Sequence, residues 1–345
     1  MTYGLSKASG DVFLMGGGAG NVGDEAILTG LLQDISPSVD SITLVSHNAE
    51  YTVEQQPFPS DISVRPVEPD ISKLVGSLLT HDSFVISGGG HFSRYMGNYT
   101  KLLPLYMLFA RVLSKPVYWS AIGVYPSTPE YVMYPLVSAL KSSTSVTVRD
   151  PISKSNLKSY GVTDVDLVPD PATQLIPNKS AGKELLVQAG LDNANPTIGI
   201  AARRVLSSDI NSRLQDAYER VAQYYQNKGW NVVYIPFSSH PYKNVEQDED
   251  VCMSLSEKTP GATVLNYEKP TELLGTISHI NAMVTTRLHS MIFSHIVGTP
   301  FAAIEYAAKC SSLLEHYGKG ENGIQLEKAT ADRIIAILER QIEKQ

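Results

Sequence analysis

Residues 11–26 read DVFLMGGGAGNVGDEA: an apolar, β-rich run from Asp11 to Met15, a glycine-loaded turn, and the acidic opening of a helical run that continues from Ala26 to Ile35. A strand that turns through glycines straight into a helix is the first half of a β–α–β crossover, the unit of parallel sheets. The same alternation continues outward from it. Short apolar runs at Ser41–Ser46, Ile62–Pro66, Ser83–Ser87, Pro116–Ala121, Ser145–Arg149 and Asp164–Val168 are separated by helical periodicity, which predicts a first sheet of seven strands. Pro171–Pro196 mixes Pro, Asn, Gly and charge. Beyond it the pattern restarts, with strands near Thr197–Ala201, Asn231–Ile235, Ala262–Leu265, Ala282–Thr285 and Pro300–Ile304, and helices beginning near Asp209, Val245, Pro270, Leu288 and Tyr306. The expected fold class is α/β: two doubly wound, Rossmann-like lobes facing a cleft. The first lobe takes residues 1–175, a linker 176–196, the second lobe 197–328 and a C-terminal helix 329–345. Ile334, Ile335, Leu338 and Ile342 lie on one stripe of that helix, which is expected to dock back across the first lobe.

The chain has 345 residues, 43% hydrophobic and 18% charged, with a formal net charge of −7. That composition excludes intrinsic disorder as the main description, and the absence of a Lys/Arg block argues against nucleic acid as a partner. Cys252 and Cys310 are too far apart for a C-x-x-C motif, so neither a disulfide framework nor a thiolate zinc site is expected, only buried thiols. The best apolar stretch, Leu102–Leu113, is broken by Arg111 and falls short of a membrane span. Val12–Met15 is too short for a signal peptide core, so a cytoplasmic location is expected, with a homo-oligomer left open. No P-loop, H-E-x-x-H or G-x-S-x-G pattern occurs, which removes P-loop hydrolysis, zincin and serine-hydrolase chemistry.

Ligands of open α/β sheets bind beyond the carboxyl ends of the strands. Gly18, Gly20 and Gly23 formally satisfy G-x-G-x-x-G, yet the second strand ends in Ser46-His47-Asn48, without the acidic residue that would hold a dinucleotide ribose. Gly88-Gly89-Gly90-His91 offers a second place for close backbone approach, and Arg149 and Asp150 are expected to pair with each other. In the second lobe one strand runs into Arg203-Arg204 and another into Arg287-Leu288-His289, with Lys309 near the end of a third. Arg287 and His289 project together if the strand persists through them and diverge if the helix begins earlier. Guanidinium forks match carboxylate and phosphate oxygens, so the expected ligand is a small di- or trianion. Pro236-Phe237-Ser238-Ser239-His240 follows another strand, and Asp248-Glu249-Asp250 reads as the solvated start of a helix, with no metal expected.

These motifs resemble those of the polysaccharide pyruvyl transferases. The resemblance is carried by Gly20–Glu25, Gly88–Gly90, Val148–Asp150, Asp170-Pro171-Ala172, Ile198–Arg203, Arg287-Leu288-His289, Gly298-Thr299-Pro300 and Tyr306 with Lys309. It implies a fold similar to the two-lobed GT-B glycosyltransferases, with a donor bound between the lobes. It also implies transfer of pyruvate from phosphoenolpyruvate to a saccharide as a ketal, with release of phosphate. No cofactor is implied, and whether the acceptor is lipid-linked is left open. Arg203, Arg287 and His289 would then stand at donor positions, joined by Arg204 and Lys309, while Asn21, Asp24, Gly89, Gly90 and His91 would face the acceptor. His289 is the first candidate for proton transfer, with phosphate orientation as the alternative. Arg287→Ala is expected to raise the barrier by about 2.7–4 kcal/mol and to leave the fold intact. The competing readings are a nucleotide-sugar-dependent glycosyltransferase or epimerase of the same shape, and a non-catalytic anion- or glycan-binding protein.

Overall fold

The alternation of strands and helices read from the sequence builds two parallel sheets. The computed structural model describes residues 3–94, 96–191, 194–239 and 247–344. The chain divides into two compact units, one of Asp24–Gln174 with the segment ending at Ala19, the other of Leu175 onward with the short segment Gly20–Gly23. His240 and Val245 lie outside the described residues.

The first unit runs β1 (Gly10–Met15), α1 (Val22–Leu32), β2 (Val39–Val45), α2 (Ala49–Gln55), β3 (Ser63–Val67), α3 (Ile71–Thr80), β4 (Ser83–Ile86), β5 (Gly89–Phe92), α4 (Asn98–Val112), β6 (Val117–Val124), α5 (Glu130–Ser142), β7 (Ser145–Val148), α6 (Pro151–Ser159) and β8 (Asp166–Leu167). The sheet order is β3-β2-β1-β4-β6-β7-β8, all pairs parallel, with β5 pairing β6. Order reverses between β1 and β4, which makes the carboxyl ends of those two strands the switch point where such sheets bind ligands. In this sheet β5 is the strand the sequence reading does not contain, because it opens on Gly89-Gly90. Its room comes from β6: Ala121 sits at φ 55, the register with β7 shifts there, and β5 joins β6 beyond the reach of β4. Gly88 runs so close to β6 that a methyl would stand 2.9 Å from the Ala121 carbonyl oxygen.

The second unit runs α7 (Lys179–Gln188), β9 (Thr197–Ala201), α8 (Ser208–Asn227), β10 (Asn231–Tyr234), α9 (Asp248–Lys258), β11 (Thr263–Val264), α10 (Pro270–Ile277), β12 (Ala282–Thr285), α11 (Leu288–Val297), β13 (Phe301–Glu305), α12 (Ala308–His316), β14 (Gly323–Gln325) and α13 (Ala331–Ile342). Its order, β11-β10-β9-β12-β13-β14, reverses between β9 and β12. α8 buries Leu214, Ala217, Tyr218, Val221, Ala222 and Tyr225, one stripe at helical spacing. Two expectations change here. The segment read as a linker contains α7, which packs on α10 within the second unit. α13, expected across the first lobe, buries Ile334 and Leu338 in the core of the second unit against α8, β12 and β13. Cys252 and Cys310 are buried free thiols.

One buried histidine ties first-sheet stability to pH. His81 Nδ1 lies 3.0 Å from the Ser77 carbonyl and must donate to it, so Nε2 accepts from the Thr43 hydroxyl at 2.8 Å. Burial lowers its pKa below the usual 6.5, and His91 and His295 shift the same way for the same reason. Below pH 6.5 the unfolded chain binds protons that the folded chain refuses, so stability present above 6.5 is lost as pH falls. His81→Gln is expected to lose less Tm than the parent between about pH 7.5 and about pH 5.5. Equal losses would remove His81 from this account.

Candidate active site

At the second switch point Thr285 of β12 stands in register with Ala201 of β9, so the residues just beyond, Ala202-Arg203-Arg204 and Thr286-Arg287, leave the sheet side by side. Arg287 is still extended, at φ −118 and ψ 141, and caps α11, whose first turn holds His289. The helix therefore begins early enough to separate the two side chains, and each takes its own partner. Arg287 and His289 are both more than nine-tenths buried. Arg287 grips Asp248 with two parallel bonds, Nε to Oδ2 at 2.8 Å and Nη2 to Oδ1 at 2.6 Å. Asp248 opens α9 and is fully buried, while Glu249 and Asp250 are exposed, so only part of the acidic trio is the solvated face expected. Burial pushes the Asp248 carboxyl above its usual range, opposed by the charges of Arg287 and Arg203. Behind this pair the hydroxyls of Tyr218 and Thr286 meet at 2.6 Å.

Arg203 and Arg204 separate as well. The Arg203 guanidinium lies 4.3 Å from the centre of the Tyr306 ring and donates to the Arg204 carbonyl, whereas the Arg204 side chain is exposed. Lys309 Nζ lies 5.3 Å from the same ring, at the start of α12. Tyr306 thus gathers two cations at the end of β13 in a cation–π arrangement.

Gly20–Gly23 completes this cluster. Val22 N–H donates to the Phe237 carbonyl at 3.1 Å, Ser239 N–H to the Gly20 carbonyl at 2.9 Å, and Asn21 forms an antiparallel bridge with Ser238. The Asn21 side chain turns back to accept from Gly23 N–H at 3.1 Å. Gly23 lies so close to His289 that a methyl there would overlap the imidazole ring.

At the first switch point Gly18 N–H donates to Glu25, a carboxylate buried beside Thr52 and Gln56, both of which also donate to it. Burial raises its pKa. Glu25 therefore shapes the glycine turn from within and is more than a helix-dipole complement. His91, on β5, donates from Nε2 to the Ser87 carbonyl at 2.8 Å. Burial lowers its pKa while the nearby Asp24 charge opposes the shift. Arg149 pairs with Asp170 at 2.8 Å, not with Asp150 as expected, both side chains being almost fully buried. Asp150 instead caps α6, accepting from Ser153 N–H at 2.7 Å, and receives the Tyr125 hydroxyl at 3.2 Å.

The family model described as polysaccharide pyruvyl transferase matches residues 21–307, which takes in the second switch point and, of the first, the chain from Asn21 onward through β4 and β5. This chain belongs to that family. It is 21% identical to the amylovoran biosynthesis protein AmsJ of Erwinia amylovora, over 92% of this chain and 88% of that protein. Among solved structures it is similar to the UDP-GlcNAc 2-epimerase of Methanocaldococcus jannaschii, at TM-score 0.61 and 12% identity, covering 97% of this chain and 93% of that one. The ADP-heptose heptosyltransferase II of E. coli is similar at TM-score 0.52 and 14% identity, covering 97% and 99%. The fold of this pyruvyl transferase family member is thus α/β with two parallel sheets, of the GT-B-like kind.

Of the five residues expected at donor positions, the structure brings Arg203 and Lys309 together on Tyr306, places Arg287 with Asp248 and His289 with Gly23, and leaves the Arg204 side chain exposed. Of the five expected at acceptor positions, Asp24, Gly89, Gly90 and His91 share the first unit, while Asn21 belongs to the second. Sequence reasoning missed Asp248 as a buried partner. Its signal is faint: an acidic residue opening a helix, in a run that reads as the solvated start of that helix.

Proposed function

We propose that this family member transfers pyruvate from phosphoenolpyruvate to two hydroxyls of a saccharide. The observation that carries the reading is the cationic cluster at the ends of β9, β12 and β13. Arg203 and Lys309 stand on Tyr306, and among the described residues no carboxylate pairs with Arg203. A ligand with a carboxylate and a phosphoryl group of about −1.5 to −2 suits such a cluster. Asp248 balances Arg287, so in this reading Arg203 and Lys309 meet the donor charge while Arg287 positions the start of α11 and His289 on it.

The step balances as follows. A proton is added to the donor methylene carbon, and the electron-poor carbon beside it is attacked by one sugar hydroxyl. The carbon–oxygen bond to phosphate breaks, and the second hydroxyl closes the ketal. Of the two hydroxyl protons, one replaces the proton spent on carbon and one leaves on phosphate. His289 is the proposed proton carrier, worth typically ~10²–10⁴-fold. Asp24, Gly89, Gly90 and His91 are proposed to face the acceptor, with Asn21 supporting Gly23 from the donor side. No cofactor enters the scheme.

The test is incubation of the purified protein with phosphoenolpyruvate and a panel of glycosides, following phosphate release and the acid-labile ketal. Arg203→Met is expected to raise the donor KM by about tenfold or more, the worth of one hydrogen-bonded charge, while Arg204→Met stays within about twofold. Turnover with a UDP-sugar and none with phosphoenolpyruvate would overturn the reading.

A further inference from the structure

Helices α3, α4 and α5 each bury one side in the core of the first sheet and leave the other uncovered. In α4, Leu103, Tyr106, Met107 and Ala110 face inward. Leu102, Leu105, Phe109 and Val112 follow at spacings of three and four and stand in solvent, Phe109 at 61% and Val112 at 77% exposure. These four fall within about a quarter of the helix circumference. Leu79 of α3 and Tyr134 of α5, on the helices that pack against α4, add to the exposed apolar surface. Scattered exposed apolar residues need no explanation, but a continuous apolar strip marks an interaction surface.

Charge selects the occupant. Residues 71–142, which span the three helices, contain six Lys or Arg and two carboxylates, Asp82 and Glu130, in a chain whose formal net charge is −7. Asp82 is already engaged by Lys115 at 3.8 Å. Arg111 donates to the backbone carbonyls of Ser142 and Lys115, and Lys101 to the Asn98 amide oxygen, so neither charge is neutralised by these bonds. A second copy docking face to face would set these cations against themselves. An anionic lipid surface supplies both complements, an apolar interior for the strip and negative headgroups for its rim.

We propose that the outward face of α3, α4 and α5 seats this protein on an anionic bilayer. The association is interfacial: no helix among the described residues is long and apolar enough to cross a membrane. It does not depend on the transfer reaction, and its test reads binding only. The whole chain is sedimented with extruded vesicles of phosphatidylcholine alone or with about 30% phosphatidylglycerol, enough to make the surface anionic. The protein is expected to pellet with the anionic vesicles. Phe109→Ser with Val112→Ser is expected to lower that partition at least about tenfold while leaving Tm unchanged, since both side chains are exposed. Lys101→Glu is expected to weaken binding to the anionic vesicles only. The proposal is overturned if the parent stays in the supernatant with both vesicles, if the double variant pellets like the parent, or if sedimentation equilibrium shows a dimer that the double variant dissolves.

Discussion

Arg287→Ala is expected to cost the folded protein about 3–5 kcal/mol along with its activity, because it strands a carboxylate that has no access to water. Asp248 is fully buried, and both of its oxygens are held by Arg287, at 2.6 and 2.8 Å. The remaining bond, from Phe237 N–H at 3.3 Å, cannot carry the charge alone. The sequence reading expected this substitution to spare the fold; the buried pair reverses that. Urea unfolding should show a midpoint well below the parent's. Replacing both partners, Arg287→Met with Asp248→Leu, removes the stranded charge, and buried pairs so replaced are often neutral or more stable. The double variant is expected to recover most of the lost stability and none of the turnover. A single variant that unfolds at the parental midpoint would show the pair to be a surface ion pair in effect, despite its burial.

The two sheets were legible because their strands are short apolar runs punctuated by glycine or proline. The eight consecutive buried residues of β6, for instance, leave no polar alternation to confuse the reading. β5 and β14 were not, since the first begins with two glycines and the second is three residues, Gly323–Gln325, with one buried side chain. Site residues were legible where chemistry and strand end coincided, as at Arg203, Arg287 and His289. Their partners were not. Nothing local in the sequence says that Arg287 reaches 39 positions back to Asp248, or Arg149 forward 21 positions to Asp170. Nor does the glycine turn announce that Gly20–Gly23 belongs with the second unit, since that depends on backbone bonds to Phe237 and Ser239, more than two hundred residues away.

That last contact leads to the substitution of smallest size and large expected effect. Gly23→Ala adds one methyl, and the space it needs is filled by the ring of His289. The ring cannot swing freely aside, because it is more than nine-tenths buried in the first turn of α11, a helix whose cap, Arg287, is pinned to Asp248. Either the imidazole leaves its position or the start of α1 does. Overpacking of this kind costs about 1–3 kcal/mol in stability. A displacement of about 1 Å at a reacting group costs on the order of 10²-fold in rate, so turnover should fall by about that factor with a much smaller change in donor KM. A cycle separates the cause from general damage: in a His289→Ala background the clash has no partner, and adding Gly23→Ala should lower turnover no further. If the two losses multiply instead, Gly23 serves something other than the placement of His289, and the assignment of that histidine as the proton carrier loses its structural support.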